Sequence, residues 1–157
     1  MDFVGIDCSI NLTYFSDFGF EYETFSFFTF SISLDQYGFP YQNTGQIFST
    51  PLVIDIDQDG DNEIIFGDQA SDGVVHVLND DGSEVISDIF PFTTGNKIWA
   101  SPSAADLDND GEIEFVISSQ DSNLYIFSSN LLEIVYNTAD LLLGTPAIGN
   151  LDDDDDL

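Results

Sequence analysis

The stretch that decides the fold is DIDQDGDNEIIFG, residues 55–67. Asp55, Asp57, Asp59, Asp61 and Glu63 place five carboxylates in nine residues around Gly60. Two unit charges about 4 Å apart repel by roughly 1 kcal/mol even in water, and by more when partly buried. The chain has little of its own to offset that cost: Lys97 is the one Lys or Arg against 30 acids, for a formal net charge of −29. A dication taken from solution turns the repulsion into attraction, so the stretch reads as a metal loop.

Counted from Asp55, positions 1, 3 and 5 are Asp, position 6 is Gly and position 9 is Glu. Alternating carboxylates on a tight loop converge on one centre, and Gly takes the backbone angle that a sharp turn requires. Hard oxygen ligands in this number suit Ca²⁺, which accepts about six to eight of them in irregular geometry. The backbone carbonyl at position 7, that of Asp61, is a natural further ligand. An EF-hand loop starts in the same way, but it needs Glu at position 12 and helices on both flanks. Here position 12 is Phe66, and the flanks PLVI and EIIFG read as strands. The loop therefore joins two strands.

Laid on itself with a shift of 51, the chain repeats: FPYQNTGQIFSTPLVIDIDQDGDNEIIFG (39–67) falls on FPFTTGNKIWASPSAADLDNDGEIEFVIS (90–118). Pro51 meets Pro102, and the acids meet Asp106, Asp108, Asp110, Glu112 (position 7) and Glu114 around Gly111. A further shift of 44 brings Pro146 under Pro102, and Asn150, Asp152 and Asp154 under the second loop, with Asp155 in place of Gly. Asp7, Ser9 and Asn11 have the spacing of a decayed loop, with Leu12 where Gly belongs.

A period of 44–51 residues points to a solenoid, a propeller or a tandem array. The segments between the loops decide: PLVIDI, NEIIFG, VVHVLN, EFVISS, LYIFSS and LEIVYN are short, rich in β-branched and aromatic residues, and bounded by Gly, Asn and Asp. None holds a helical period for ten residues. Each repeat offers about four short strands, the makeup of one propeller blade. The extra residues of the first repeat, near Ala70–Ser71 and Ser87–Phe90, are assigned to connections between strands, where insertion is cheap. FTFSISLDQYG is assigned to the third strand of an earlier blade.

The expected fold is all-β, with four-stranded antiparallel blades, about three of them forming an open arc of a larger propeller. Residues 1–38 form a partial or degenerate blade. Residues 39–89 form a blade with its loop at 55–63, and 90–140 a blade with its loop at 106–114. Residues 141–157 start a further blade that stops inside its loop, so the chain reads as a piece of a longer gene product.

The pattern Ser/Thr-Pro, three residues, Asp-φ-Asp-x-Asp-Gly-x-x-Glu and an apolar strand resembles the FG-GAP/VCBS repeats of integrin-α-type β-propellers, in a divergent bacterial-type form. The likeness covers about residues 39–157. It departs from the eponymous letters, with Phe48-Ser49 and Trp99-Ala100 at the first signature position and Gly67-Asp68 and Ser118-Ser119 at the second. The resemblance implies that each loop joins the first two strands of a blade and binds Ca²⁺ through positions 1, 3, 5, 7 and 9. Those are Asp55, Asp57, Asp59, Asp61 and Glu63, then Asp106, Asp108, Asp110, Glu112 and Glu114, with Asn150, Asp152 and Asp154 in a truncated third set.

The remaining residues narrow the function. Nucleic-acid binding needs a cationic footprint that this chain lacks, and anionic membrane surfaces are disfavoured on the same ground. The aromatic run at 24–34 is too short and too polar to span a bilayer, and the first residues do not look like a signal peptide. Ser-His-Asp catalysis has only His76 to draw on. His76 is expected on the exposed side of its strand, Trp99 in blade packing and Cys8 as an inert, half-buried thiol. The preferred reading is a non-enzymatic, calcium-stabilised propeller module for extracellular or cell-surface adhesion. Its partners would be a protein or glycan ligand and the remaining blades of the same gene product. The alternative is part of a secreted propeller enzyme, polysaccharide lyase-like or quinoprotein-like.

Overall fold

The computed structural model describes residues 38–151 and the backbone of two short strands further upstream, β1 (Ile6–Cys8) and β2 (Phe30–Ile32). The chain divides into two units, residues 1–40 and 41–157. In the first, β1 and β2 pair antiparallel with Ile6 opposite Ile32. Phe28, Thr29 and residues 33–37 of FTFSISLDQYG, Ser9 and Asn11 of the decayed loop, and the side chains of Asp7 and Cys8 lie outside the described residues.

The second unit holds two antiparallel four-stranded sheets, and no helix occurs among the described residues. One sheet runs in chain order through β3 (Leu52–Ile54), β4 (Glu63–Gly67), β5 (Val74–Leu78) and β6 (Phe92–Thr93). The other runs through β7 (Ser103–Ala105), β8 (Glu114–Ser118), β9 (Asn123–Phe127) and β10 (Leu132–Asn137). The registers match repeat for repeat: Ile54 faces Glu63 as Ala105 faces Glu114, and Phe66 faces His76 as Ile117 faces Tyr125. Each is the simple meander that short β-branched runs separated by turn residues are expected to form.

One core joins the two sheets. Ile65, Val75 and Val77 from the first pack with Phe115, Ile117, Tyr125 and Phe127 from the second, together with Phe90 and Ile98 from the segments between. The rings of Phe90, Phe115 and Phe127 lie 5.0–5.9 Å apart. Gly67 lies where a Cβ would run into the Ile98 side chain, so the close approach of β4 to the start of the next repeat requires glycine.

Two expectations are corrected, those for Trp99 and His76, while both insertions of the first repeat fall where expected. Residues 68–73 connect β4 to β5 where 119–122 connect β8 to β9, so the first insertion is an inter-strand loop, as expected. The second lies in the connection from β5 to β6. Leu78 bridges Glu84 and Val85 N–H donates to the Val77 carbonyl, yet β5 next pairs with Phe92 and Thr93. Residues 86–91 thus loop out within that connection, tied by Ser87 Oγ accepting from the Ile89 and Phe90 N–H groups. Phe90 returns to the core, which fixes the loop.

Trp99 is 45% exposed rather than buried. Ile98 and Ala100 face inward at 0% and 1%, and strand-like alternation then turns the residue between them outward. It meets Phe48, its counterpart one repeat earlier, edge-on at 6.3 Å. His76 is buried rather than exposed. Val75 and Val77 enter the shared core, but the opposite side of β5 is covered too: Phe66 stacks on the imidazole at 5.0 Å and Tyr41 lies edge-on at 5.9 Å.

A candidate metal centre in each of two successive sheets

Each acidic loop leaves its sheet at the first strand and returns at the second, so Glu63 and Glu114 are both the first residue of a strand and the last acid of a loop. The loops are shaped by their own carboxylates. Asp55 accepts from the Asp59 N–H (3.1 Å) and the Gly60 N–H (3.1 Å), and Asp57 Oδ1 accepts from Asp59 N–H (3.3 Å). Asp59 Oδ1 takes the Asp61 N–H at 2.9 Å. Such side-chain-to-backbone bonds two residues on mimic a backbone turn. Across the loop, Glu63 Oε2 accepts the Ile56 N–H at 3.1 Å.

The second loop repeats every bond. Asp106 takes the Asp110 and Gly111 N–H groups (3.1 and 3.0 Å), Asp108 takes Asp110 (3.2 Å), Asp110 takes Glu112 (2.8 Å) and Glu114 takes Leu107 (2.7 Å). Backbone angles repeat as well, with φ 58 at Gln58 and 102 at Gly60 against 60 at Asn109 and 92 at Gly111. Nothing lies within 4 Å of a Cβ built on either glycine, so glycine is used here for its angle and not for space.

In each loop three carboxylates converge: Asp55, Asp57 and Glu63, and Asp106, Asp108 and Glu114, each set with ligand oxygens within 4.8 Å of one another. Oxygens sharing a Ca²⁺ at about 2.3–2.6 Å can stand no more than about 5 Å apart, so both sets fit that ion by chemistry and by separation. Asp59 and Asp110, also expected as ligands, stand outside these groups of three. One oxygen of each is turned to the N–H two residues on, at Asp61 and Glu112, the residues whose carbonyls were expected to coordinate. Asn150 of the third set is exposed, and Asp152 and Asp154 lie outside the described residues.

Burial pushes the Glu63 and Glu114 carboxyls above the ordinary glutamate value. Loop aspartates add to the rise in both, as does Glu133 beside Glu114, while the N–H bonds from Ile56 and Leu107 pull the other way. Each loop thus holds a buried acid whose charged form lacks a counter-charge from the protein, which is what a bound cation supplies.

Residues 55–117 match the family model of the FG-GAP-like repeat. The match begins on the first acid of the first loop and takes in both loops whole. That stretch is similar to an FG-GAP-like repeat. The two congruent acidic turns both lie within the matched stretch. No curated protein gives a significant match to the chain.

Two further clusters in this repeat-bearing unit escaped sequence reasoning. Thr50 N–H donates to Ser101 Oγ at 2.8 Å, and Ser101 N–H to Thr145 Oγ1 at 3.2 Å. The hydroxyl residue before each proline therefore ties one sequence repeat to the next, and the recurring Ser/Thr-Pro pair was its signal. The second cluster had no signal. His76 Nδ1 lies 2.6 Å from Glu84 Oε1, and its Nε2 3.5 Å from Asp68 Oδ2. Tyr41 donates to Glu84 at 3.0 Å, and its hydroxyl is pushed up to about 12 by burial and by that carboxylate.

Proposed function

We propose that this chain is a non-catalytic, calcium-stabilised module of propeller type that serves extracellular or cell-surface adhesion, with a protein or glycan as its ligand. One observation carries the calcium part. Two acidic loops 51 residues apart share the same hydrogen bonds, the same backbone angles and the same converging oxygens. A solvated hairpin has no reason to reproduce a set of repelling charges in that detail.

Asp55, Asp57 and Glu63 hold the first ion, and Asp106, Asp108 and Glu114 the second. Asp59, Asp61, Asp110 and Glu112 complete the shells by side chain or carbonyl. Ca²⁺ supplies positive charge to a turn that the protein leaves uncompensated, and so it locks the first strand of a sheet to the second. Its role is structural. The exposed rings of Phe48 and Trp99 support the ligand-binding part, because they present aromatic surface in an otherwise anionic module.

Thermal unfolding tests the calcium reading. Chelation should lower the Tm by several degrees and added calcium should restore it, since a ligand that binds only the folded state stabilises it by mass action. An unchanged Tm with and without millimolar calcium removes the metal from the account. Binding to immobilised surface glycans or matrix proteins tests the ligand part, and loss of that binding in Trp99→Ala would tie it to the exposed rings.

A further inference from the structure

The two acidic loops are not separate. Gln58, at position 4 of the first, reaches out of its own loop, and its side-chain amide donates to the Gly111 carbonyl of the second at 2.6 Å. Ile56, Asp57 and Gln58 on one side and Glu112 with Ser129 and Asn130 on the other line a single cleft of about 310 Å³. Resting on the calcium reading above, we propose that Gln58 couples the two sites, so that an ion in one loop raises the affinity of the other.

The reason lies in which peptide Gln58 grips. Gly111 N–H donates to Asp106 Oδ2 at 3.0 Å, and the next N–H, that of Glu112, donates to Asp110 Oδ1 at 2.8 Å. The carbonyl between them is the one that accepts from Gln58. Holding it fixes the plane of the peptide that orients Asp110, and the direction in which the chain continues to the Glu112 carbonyl. At the other end, Gln58 sits at φ 58 between Asp57 and Asp59, and the Asp59 N–H is held by both Asp55 and Asp57. An ion on those two carboxylates restrains the backbone from which the glutamine reaches. The loop filled second then has less conformational freedom left to lose, which is positive coupling between sites.

Electrostatics acts in the opposite sense, because two dications repel and each neutralises part of the field that attracts the other. That effect is screened over about 8 Å at physiological salt, whereas the hydrogen bond is not. Raising the salt concentration should therefore sharpen the coupling rather than erase it.

Calorimetric titration of the full chain with calcium chloride in about 0.15 M sodium chloride tests the proposal. For the native sequence, the second binding step should be about three- to tenfold tighter than independent sites allow, the range one net hydrogen bond supplies. Gln58→Ala and Gln58→Glu remove the donor but none of the expected ligands, so both should still bind two ions, now independently. Circular dichroism without metal confirms that the variants fold. A second readout is amide exchange: in Asp108→Asn, which disables the second loop, calcium on the first should slow exchange at Gly111 and Glu112. Adding Gln58→Ala should abolish that slowing. Independent steps in the native chain, or coupling that survives both Gln58 variants, overturn the proposal while leaving the calcium sites standing. No calcium uptake by the native chain overturns both.

Discussion

Glu63 and Glu114 face two opposed demands. Each must stay ionised to bind a cation, yet each is buried beside other acids, which favours its proton. Without metal, the folded chain holds these protons more tightly than the unfolded chain, because both carboxyls lie above the ordinary glutamate value. The metal-free protein should therefore gain stability from these groups as the pH falls from neutral through their folded pKa, and the gain should level off below the unfolded value. Calcium competes with the same protons, so the rise in Tm that it produces should shrink over the same interval. Paired melts with and without calcium across that range check both signs. Glu114→Gln separates the two demands at one residue. It keeps an oxygen for the Leu107 N–H and removes a charge, so the metal-free protein should gain on the order of 1 kcal/mol. The calcium-induced rise should fall to about half, because one of two sites is lost; urea unfolding in both conditions reads the crossover. Asp68 behaves in the opposite way. Burial works against its charge, but N–H groups of Val74 and Ala70, with Asn43 and His76, hold its carboxyl below the usual value. Its contribution is present above the unfolded value and is lost only as the pH falls through the lower folded one.

At the scale of the element, the recurring Ser/Thr-Pro pair is a joint. Proline holds the residue before it in extended backbone, and the hydroxyl of that residue takes the N–H of its counterpart one repeat earlier. Ser101→Ala should cost about 1 kcal/mol, the net worth of one hydrogen bond, while Ser101→Thr should cost little; equilibrium urea denaturation distinguishes them. This joint also shows where sequence reasoning stops. The loops were legible because alternate carboxylates around Gly60 and Gly111 have few physical uses. The strands were legible because VVHVL and EFVIS are short runs rich in β-branched and aromatic residues between turn residues. Contacts made across 35 or 43 residues leave no local trace, so Tyr41 reaching His76 and Glu84 could not be anticipated, nor could the burial of His76 that follows. Trp99 was misplaced for a different reason: its place before Ser101-Pro102 at a strand start argued for packing, while the alternation set by Ile98 and Ala100 turned it out.

At the scale of the unit formed by residues 41–157, the two sheets share one core and should unfold together. Phe127 is fully buried and touches the rings of Phe90, Phe92, Phe115 and Tyr125. Phe127→Ala should cost about 3–5 kcal/mol, and the loss should appear in a single transition by circular dichroism and by Trp99 fluorescence alike. A net charge of −29 opposes compaction throughout the chain. The loops concentrate that opposition at two points and give it a remedy, provided calcium occupies them. Equilibrium dialysis of the full chain against labelled calcium, with bound ions counted per chain, addresses this most directly. The account predicts at least two ions, one fewer in Asp57→Asn and one fewer in Asp108→Asn. A folded chain that retains no calcium at millimolar concentration contradicts it.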